Sequence, residues 1–203
     1  MSISAQLGAV RQAIASAALQ AGRDPASVSL LAVSKTFGAE AVIAAAEAGQ
    51  RAFGENYLQE ALDKMDQTGD LDIRWHLLGH LQSNKARKAG TAFSTIHSVD
   101  SVELLEKLDA AAAATERPLE VLVQVDLAGE ATKSGALPVD VPRLFDAASH
   151  CRAARVVGLM TLPPVPDTPE DARPWFRRLR ELRDEWRAAG IPDSMLRELS
   201  MGM

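Results

Sequence analysis

The sequence predicts an α/β protein of the parallel barrel class, and three observations lead to this prediction. Short apolar runs of strand-like composition alternate with alanine-rich helical stretches along the chain. Such alternation is typical of a parallel sheet with right-handed helical crossovers. No G-x-G-x-x-G follows the first apolar run, which counts against the doubly wound, dinucleotide-binding alternative. Polar residues close most of the runs, as they do at the mouth of a TIM-type barrel.

Seven short runs of apolar and β-branched residues, each bounded by turn-forming residues, are predicted as strands. They cover Val28–Ser34, Arg51–Glu55, Ile73–Gly79, Thr95–Val99, Leu119–Val125, Val156–Thr161 and Leu196–Ser200. A TIM-type (β/α)8 barrel has eight strands, and seven would leave two unpaired sheet edges. Either one strand is not recognised by the pattern or the sequence is cut short. We expect a single barrel domain over residues 1–203, with its C-terminal strand absent or truncated.

Helices are predicted before the first strand and between the strands. Near the amino terminus, apolar residues recur at the spacing of an amphipathic helix, at Ile3, Leu7, Val10 and Ile14. Further helical stretches are "GAEAVIAAAEAG", "NYLQEALDKMD", "SVELLEKLDAAAAA" and "ARPWFRRLRELRDEWRAAG". The last of these has an apolar face that consists of Trp175, Phe176, Leu179, Leu182 and Trp186.

The composition is that of an ordinary globular protein and argues against several classes of function. Hydrophobic residues make up 47% of the chain and charged residues 24%, which is a common balance. A formal net charge of −5 argues against a general binder of nucleic acid or of a membrane surface. The basic residues Lys85, Arg87 and Lys88 are interpreted as a solvated helix face. No apolar stretch approaches the roughly 18–20 residues that cross a bilayer, and no secretion signal is evident.

The cysteine and histidine content favours a cytoplasmic protein without a metal site. Cys151 is the single cysteine, so it cannot form an internal disulfide and suits a reducing cytoplasm. The histidines show no zinc-type spacing with it; they are His76, His80, His97 and His150. No obvious exposed apolar stripe indicates an interface with another protein, and a monomer is expected.

The clearest sign of chemistry is a lysine at the end of the first predicted strand, in "SLLAVSKTFGAE". Side chains alternate along a strand, so Lys35 shares a face with Leu31 and Val33. If that face points into the barrel, the amine emerges at the upper mouth. Partial desolvation there would lower its pKa and leave it neutral and nucleophilic, as imine formation with an aldehyde requires. A lysine that merely extends into solvent from a strand end is the alternative.

Seven motifs, in order along nearly the whole chain, resemble those of the pyridoxal phosphate homeostasis protein family. They are "LLAVSKT", "FGENYLQEA", "WHLLGHLQSNKARK", "IHSVDS", "VLVQVDLAGEATKSG", "GLMTLPP" and "LSMGM". The resemblance implies that the chain binds pyridoxal 5′-phosphate (PLP). It also implies a single-domain barrel of PLP fold type III, similar to the N-terminal domain of alanine racemase.

The resemblance implies five cofactor-binding residues. Lys35 would form a reversible aldimine with PLP. Asn56, in "FGENY", would lie close to the cofactor, and it is also well suited to be a helix N-cap. Met160, in "GLMT", would pack near the ring or simply belong to the core. Ser200 and Gly202, in "SMGM", would form part of the phosphate cradle through a hydroxyl and approachable backbone N–H groups.

The resemblance also implies a segment that this sequence lacks. Family members continue past "SMGM" with a helix and an eighth strand, of the type "VRIGxxIFG", which is the strand missing from the count. Its arginine would face the pyridine nitrogen but could not protonate it, because the guanidinium pKa lies above about 12. Strong carbanion chemistry would then be disfavoured. Lys133, in the loop motif "ATKSG", is either a second amine near the mouth or a solvated loop lysine.

Three functions compete at this point. The first is a non-catalytic carrier that holds PLP, limits free aldehyde and supplies apo-enzymes. The second is an amino-acid racemase or decarboxylase, which needs acid/base groups on both faces of a carbanion. In the racemases that the barrel resembles, one such group is a tyrosine from a second domain, whereas Tyr57 is the one tyrosine here. The third is a Schiff-base aldolase, which the motifs do not favour. The sequence therefore predicts the carrier.

Overall fold

The computed structural model describes residues 2–115, 117–129, 134–165 and 167–202. Its internal contacts divide the chain into two compact units, residues 1–76 and residues 77–203. Strands and helices alternate along the chain in both units. This is the alternation that the sequence predicts for an α/β protein.

The first unit begins with a long helix and continues with short strands and helices. Its elements are α1 (Ile3–Gln20), β1 (Ala32–Val33), α2 (Ala39–Glu47), β2 (Ala52–Glu55) and α3 (Leu58–Gln67), and β3 (Arg74–Leu77) lies at the division between the units. β1 and β2 are parallel, with Ala32 opposite Phe53 and Val33 opposite Gly54. This register decides which side chains meet at the carboxyl ends of the two strands.

The second unit contains four parallel strands that pair in sequence order. Its elements are α4 (Ala86–Ala92), β4 (Thr95–Val99), α5 (Val102–Ala113), β5 (Leu119–Gln124), α6 (Val141–Ser149), β6 (Ala154–Thr161), α7 (Arg173–Ala188) and β7 (Glu198–Met201). Aliphatic side chains of the strands and of α5 form its core, among them Ile96, Leu105, Leu108, Val121, Val123 and Leu159, each without exposed surface. This core holds the strand ends in fixed positions.

All seven predicted strands are present among the described residues, but the first is much shorter than predicted. The prediction of Val28–Ser34 is wrong in its first half, because β1 spans only Ala32–Val33. The side-chain amide of Gln50 explains part of the difference, since it donates to Leu30 O at 2.8 Å and to Ala52 O at 2.8 Å. A side chain thus satisfies the Leu30 carbonyl that a longer ladder would have used.

The predicted helices are also present, but the apolar face predicted for α1 is not buried throughout, since Val10 is 44% exposed. On α7, Leu179, Leu182 and Trp186 are buried, while Trp175 and Phe176 are half-buried. The basic residues after β3, Lys85, Arg87 and Lys88, are exposed as predicted. Among the described helices, none has the length and apolarity needed to cross a membrane.

Asp109 connects helix α5 to the start of β6. Its Oδ1 accepts hydrogen bonds from three consecutive backbone N–H groups, those of Arg152, Ala153 and Ala154, at 2.9, 2.7 and 2.8 Å. Hydrogen bonds to a carboxylate are charge-assisted and stronger than neutral ones. One side chain therefore supplies the acceptors for the whole segment that leads into β6.

Replacing this carboxylate tests its contribution to stability. We expect Asp109→Ala to lower the free energy of unfolding by about 2–4 kcal/mol, because three N–H groups lose their acceptor. Chemical denaturation measures the loss. Glu106→Ala removes an exposed carboxylate from the same helix and should change the free energy by less than about 0.5 kcal/mol. Equal losses in the two variants would contradict the assignment.

Candidate functional site

Lys35 lies in a turn that directly follows the β1–β2 ladder. The last ladder bond joins Ser34 N to Gly54 O at 2.9 Å, and the turn closes with a bond from Phe37 N to Ser34 O at 3.1 Å. Lys35, which is half-buried, and Thr36 are the two central residues of this turn. The strand alternation predicted to reach Lys35 therefore stops at Ser34. A turn, rather than the strand pleat, sets the direction of the lysine.

Thr36 adopts an unusual backbone conformation beside this lysine. Its φ is 68°, and it is the only described residue other than glycine with a positive φ. Turns that need a positive φ at this position usually have glycine or asparagine there. A threonine in this conformation costs roughly 1–2 kcal/mol. Thr36 N donates to Glu60 Oε1 at 2.8 Å, a bond that helps to offset the strain. Backbone strain of this kind clusters at functional sites.

A buried ion-pair network centred on Lys64 of α3 lies behind the turn. The β1–β2 register puts Ser34 opposite Glu55, whose side chain has no exposed surface. Ser34 Oγ donates to Glu55 Oε1 at 2.6 Å. Lys64 Nζ donates three hydrogen bonds of 2.7 Å each, to Ser34 O, Glu55 Oε1 and Glu60 Oε1. An ammonium group has three donors, so every one of them is used.

Two groups of this network keep their charges throughout the neutral pH range. Burial by itself would lower the pKa of the Lys64 ammonium, but hydrogen bonds to Glu55 and Glu60 outweigh burial and raise that pKa above its ordinary value. The hydrogen bond from Lys64 lowers the pKa of Glu60, although partial burial opposes it. The ion pair between Lys64 and Glu60 is therefore maintained on both sides of neutrality.

Two buried acceptor atoms at the end of β2 have no partner among the described residues, Glu55 Oε2 and Asn56 Oδ1. Asn56 directly follows β2. Its predicted alternative role as a helix N-cap is wrong, because α3 begins at Leu58 with Tyr57 as its N-cap, and no side chain caps it. The chain reaches the helix one residue later than the pattern suggested. The Asn56 amide is thus left available for another donor.

In the second unit, the residues predicted to bind phosphate lie at the end of β7. Ser200 is half-buried, and its Oγ lies 2.8 Å from Nδ1 of His97, a buried residue of β4. Gly202 follows the strand with a φ of 100°. A Cβ atom built on Gly202 would meet no atom within 4 Å. The hydroxyl is therefore oriented by a neighbour, while the space beside the glycine is open.

Met160 belongs to the core of the second unit. It is opposite Ser200 in the β6–β7 register, it is 2% exposed, and it clusters with Leu122 and Val157. This is the core alternative that the sequence left open. A contact between Met160 and a cofactor ring stays a prediction.

Other polar residues at strand ends in the second unit interact with each other or with loops. His80 Nδ1 lies 3.8 Å from Asp100 Oδ2. Burial raises the pKa of Asp100, and the charge of His80 opposes this effect. Asp126 Oδ1 accepts hydrogen bonds from the N–H groups of Ala128 and Gly129. These contacts shape the loops that follow β3, β4 and β5.

The structure brings Lys35 and Asn56 to neighbouring strand ends of the first unit. It likewise brings Met160 and Ser200 together at the ends of β6 and β7, with Gly202 just beyond. The predicted second amine, Lys133, lies outside the described residues.

Sequence reasoning missed the residues that support these positions. The i,i+4 pair of Glu60 and Lys64 in "EALDK" and the histidine within the apolar strand "TIHSV" were the available signals. Glu55, in the same motif as Asn56, gave no signal of its own.

Metal-binding side chains and the cysteine are the other reactive groups to consider. Among the described residues, no group of three or more His, Cys, Asp or Glu side chains is arranged to hold a metal ion. Burial, with smaller effects from the carboxylates of Asp109 and Glu106, raises the pKa of the Cys151 thiol to about 11. A thiol of that pKa is a poor nucleophile at neutral pH.

A groove of about 480 Å³ lies at the amino ends of β1 and β2, opposite to the strand ends that precede Lys35 and Asn56. Three arginines line it, Arg11, Arg51 and Arg74. Arg11 and Arg51 donate to carbonyl groups at the end of α2, those of Ala48 and Ala46 respectively. Cationic side chains commonly cap the last carbonyls of a helix in this way. Arg11 and Arg51 thus have a structural role.

The chain is similar to proteins of one family over nearly its whole length. A family model described as the alanine racemase N-terminal domain matches residues 6–202. The chain is 45% identical over 180 residues to a pyridoxal phosphate homeostasis protein of Pseudomonas aeruginosa, covering 89% of this chain and 78% of that relative.

Solved structures give the same result for the fold. PipY of Synechococcus elongatus, solved without PLP, matches with a TM-score of 0.87 and 40% identity over 99% of this chain and 89% of that one. A second structure of PipY, with PLP bound, matches with a TM-score of 0.82 and 38% identity, with the same coverage. The chain therefore has the (β/α) barrel fold of the alanine racemase N-terminal domain, and the predicted fold class is confirmed.

The charge of Glu60 leads to a pH dependence that can be measured. The folded-state pKa of Glu60 is depressed below its ordinary value of 4.5. Its contribution to stability is thus complete above that value and is lost as the pH falls through the lower folded pKa. Wild type should exceed Glu60→Gln in free energy of unfolding by roughly 1 kcal/mol at most near neutrality, and the difference should vanish in acid. Denaturation at a series of pH values measures it. If the difference in free energy of unfolding grows on acidification, the pKa of Glu60 is raised in the folded state and not lowered.

Proposed function

This chain belongs to the pyridoxal phosphate homeostasis protein family, and from that premise we propose that it holds PLP reversibly on Lys35 and supplies it to apo-enzymes. One observation carries the proposal. The Lys35 amine directly follows a strand, on a backbone that side chains hydrogen-bond on both sides, at Ser34 O and at Thr36 N. A carrier of a reactive aldehyde needs a fixed amine, since a primary amine is the group that captures carbonyl compounds reversibly.

The residues present fit the chemistry of this cofactor. When bound, PLP supplies an aldehyde, an aromatic ring with polar substituents and a phosphate ester. Lys35 offers a primary amine, and the Asn56 amide has unused hydrogen-bonding capacity for a ring substituent. Ser200 offers a hydroxyl to the phosphate, and Gly202 offers open space beside the backbone. Met160 would support the ring from the core.

Membership of a family with a parallel barrel fold is the reason to assign these residues to one site. The carboxyl ends of all strands in a parallel barrel face the same mouth, where binding sites are built. Lys35, Asn56 and Gly202 follow strands β1, β2 and β7, and Met160 and Ser200 lie near the ends of β6 and β7. We take residues 1–203 as one cofactor-binding domain. The proposed setting is the cytoplasm, with a monomer that meets apo-enzymes as its protein partners.

Lys35 is the residue proposed to make and break the bond to the cofactor. Its nitrogen would bond to the aldehyde carbon, and both amine protons would leave with the carbonyl oxygen as one molecule of water. The same step in reverse consumes water and frees the amine. Partial burial of Lys35 limits the access of water to this bond, and the turn keeps the amine from diffusing away.

The proposal is a carrier and not a catalyst. Racemisation or decarboxylation requires groups that donate and accept protons at the substrate carbon, and racemisation requires them on both faces. Tyr57, the one tyrosine of the chain, is 64% exposed. The described strand ends offer an amine on a hydrogen-bonded backbone and a hydroxyl paired with a histidine, which suit retention of an aldehyde and a phosphate. A low racemase activity would be a side reaction of the bound cofactor.

Removing the proposed attachment point tests the function. Wild-type protein incubated with PLP and reduced with borohydride should carry one cofactor by mass spectrometry, and the unreduced complex should show the visible absorbance of attached PLP. Lys35→Ala should lose both signals completely, because no other amine is assigned to the site. Lys85→Ala, which removes an exposed lysine, should retain both. Full attachment in Lys35→Ala would contradict the proposal.

The loaded wild-type protein then separates the carrier from the enzyme. Mixed with a PLP-dependent apo-enzyme, it should restore activity faster than the cofactor escapes into buffer. Incubation with L-alanine should produce no D-alanine beyond the level seen with free PLP. Sustained production of D-alanine would contradict the carrier function and favour a racemase.

Asn56 allows cofactor binding to be separated from stability. Its unpartnered buried oxygen contributes nothing favourable to the cofactor-free fold, so Asn56→Ala should change the free energy of unfolding by no more than about 1 kcal/mol. The same variant should bind PLP about tenfold more weakly, which corresponds to about 1.4 kcal/mol. Equilibrium titration and denaturation measure the two quantities. Asn84→Ala, at an exposed asparagine, is the matched control, and unchanged affinity in Asn56→Ala would remove Asn56 from the site.

A further inference from the structure

We propose that Lys64, Glu55 and Glu60 are positioning residues that fix the backbone on both sides of Lys35 and thereby set the rate at which its amine captures the cofactor. We call these three residues, with their bonds to Ser34 and Thr36, the Lys64 clamp. The inference rests on the proposed function of Lys35. It assigns a role to three side chains that make no contact of their own with the cofactor.

The hydrogen bonds of the clamp lie on both sides of Lys35. On one side of Lys35, the carbonyl of Ser34 accepts a hydrogen bond from Lys64 Nζ at 2.7 Å. On the other side, the N–H of Thr36 donates to Glu60 Oε1 at 2.8 Å. The same Glu60 oxygen accepts from Lys64 at 2.7 Å. One short chain of hydrogen bonds therefore passes behind Lys35 and joins the peptide groups that flank it.

Glu55 anchors this chain of bonds to the sheet. Its Oε1 accepts from both Lys64 Nζ, at 2.7 Å, and Ser34 Oγ, at 2.6 Å. Because Glu55 ends β2 and has no exposed surface, the clamp ties β1, β2 and α3 together at one point. The clamp uses backbone groups and the Ser34 hydroxyl, so it leaves the Lys35 amine available.

A purely structural role is the alternative, and the strain at Thr36 argues against it. Burying an ammonium group between carboxylates is seldom a gain in stability over apolar packing. The clamp in addition holds Thr36 at a φ of 68°, a conformation that costs energy and persists only where its surroundings enforce it. Both energetic costs are explained if the clamp serves to give the Lys35 side chain a defined direction.

Orientation of a reacting group has a large effect on rate. A displacement of about 1 Å at a reacting atom can cost on the order of 100-fold. Loss of the clamp would let the turn relax toward ordinary φ values and let the Lys35 side chain sample many directions. Capture of an aldehyde would then become slower, even where the fold is intact.

The experiment compares Lys64→Met, which removes the ammonium and keeps the length of the side chain, with Glu60→Ala, which removes the acceptor that Thr36 N shares with Lys64 Nζ and leaves the Lys64 bonds to Ser34 and Glu55. Two readouts are taken on the full chain: the rate of PLP capture, and the hydrogen exchange of the Thr36 amide without PLP. Lys64→Met should slow capture at least tenfold and accelerate the exchange, and Glu60→Ala should change both in the same direction by less.

Two control variants distinguish positioning from stability. Lys107→Met removes the exposed i,i+4 ion pair with Glu103 and should change neither readout. Asp109→Ala, expected to destabilise the protein at a site outside the clamp, should leave the capture rate unchanged. If Asp109→Ala slows capture as much as Lys64→Met does, stability alone explains the effect and the inference is overturned.

The remaining outcomes are equally decisive. Capture at the wild-type rate by folded Lys64→Met overturns the inference. The proposed function is still supported in that case if Lys35→Ala no longer carries the cofactor. If Lys64→Met does not fold, Glu60→Ala decides, and a wild-type capture rate in that variant is the overturning result. If wild-type protein itself captures no PLP, the proposed function fails, and the inference built on it fails too.

Discussion

The buried ammonium of Lys64 is the interaction on which the arrangement around Lys35 depends. Its three donors meet a strand carbonyl, a strand carboxylate and a helix carboxylate. Each donor of a buried cation needs an acceptor, because an unpaired charge away from water is very costly in free energy. The positions of β1, β2 and α3 at this point are therefore coupled, and the turn between Ser34 and Phe37 follows from them. Local electrostatics here determines the conformation of the backbone on both sides of Lys35.

The fold could be predicted from the sequence to the extent that local patterns decide it. β4 was predicted with its observed bounds, since its apolar and β-branched residues are flanked by clear breaks. β1 was predicted too long, because the carbonyl of Leu30 is satisfied by the side chain of Gln50, twenty residues away. Such a contact leaves no trace in local composition. At Asn56 the prediction was displaced by one residue, because α3 begins at Leu58 and Tyr57 is its N-cap.

The candidate site was predicted where motifs and strand ends marked it and missed where partners are distant in sequence. Lys35 was found from its position after an apolar strand. Lys64 was not, because a lysine on an amphipathic helix is usually exposed, whereas its partner Ser34 lies 30 residues away. The contact between His97 and Ser200 spans 103 residues. Residues that hold a site in place are thus the hardest to recognise, since their role exists only in the folded chain.

The hydrogen bonds of Lys64 also have a consequence for the chemistry of Lys64 itself. The nitrogen of Lys64 keeps its proton, since its pKa is raised, and an ammonium ion has no lone pair with which to attack a carbonyl carbon. The network that secures the neighbouring backbone therefore also protects its own central amine from glycation and acylation. Pairing with two carboxylates therefore lowers the reactivity of this primary amine without any change in its covalent structure.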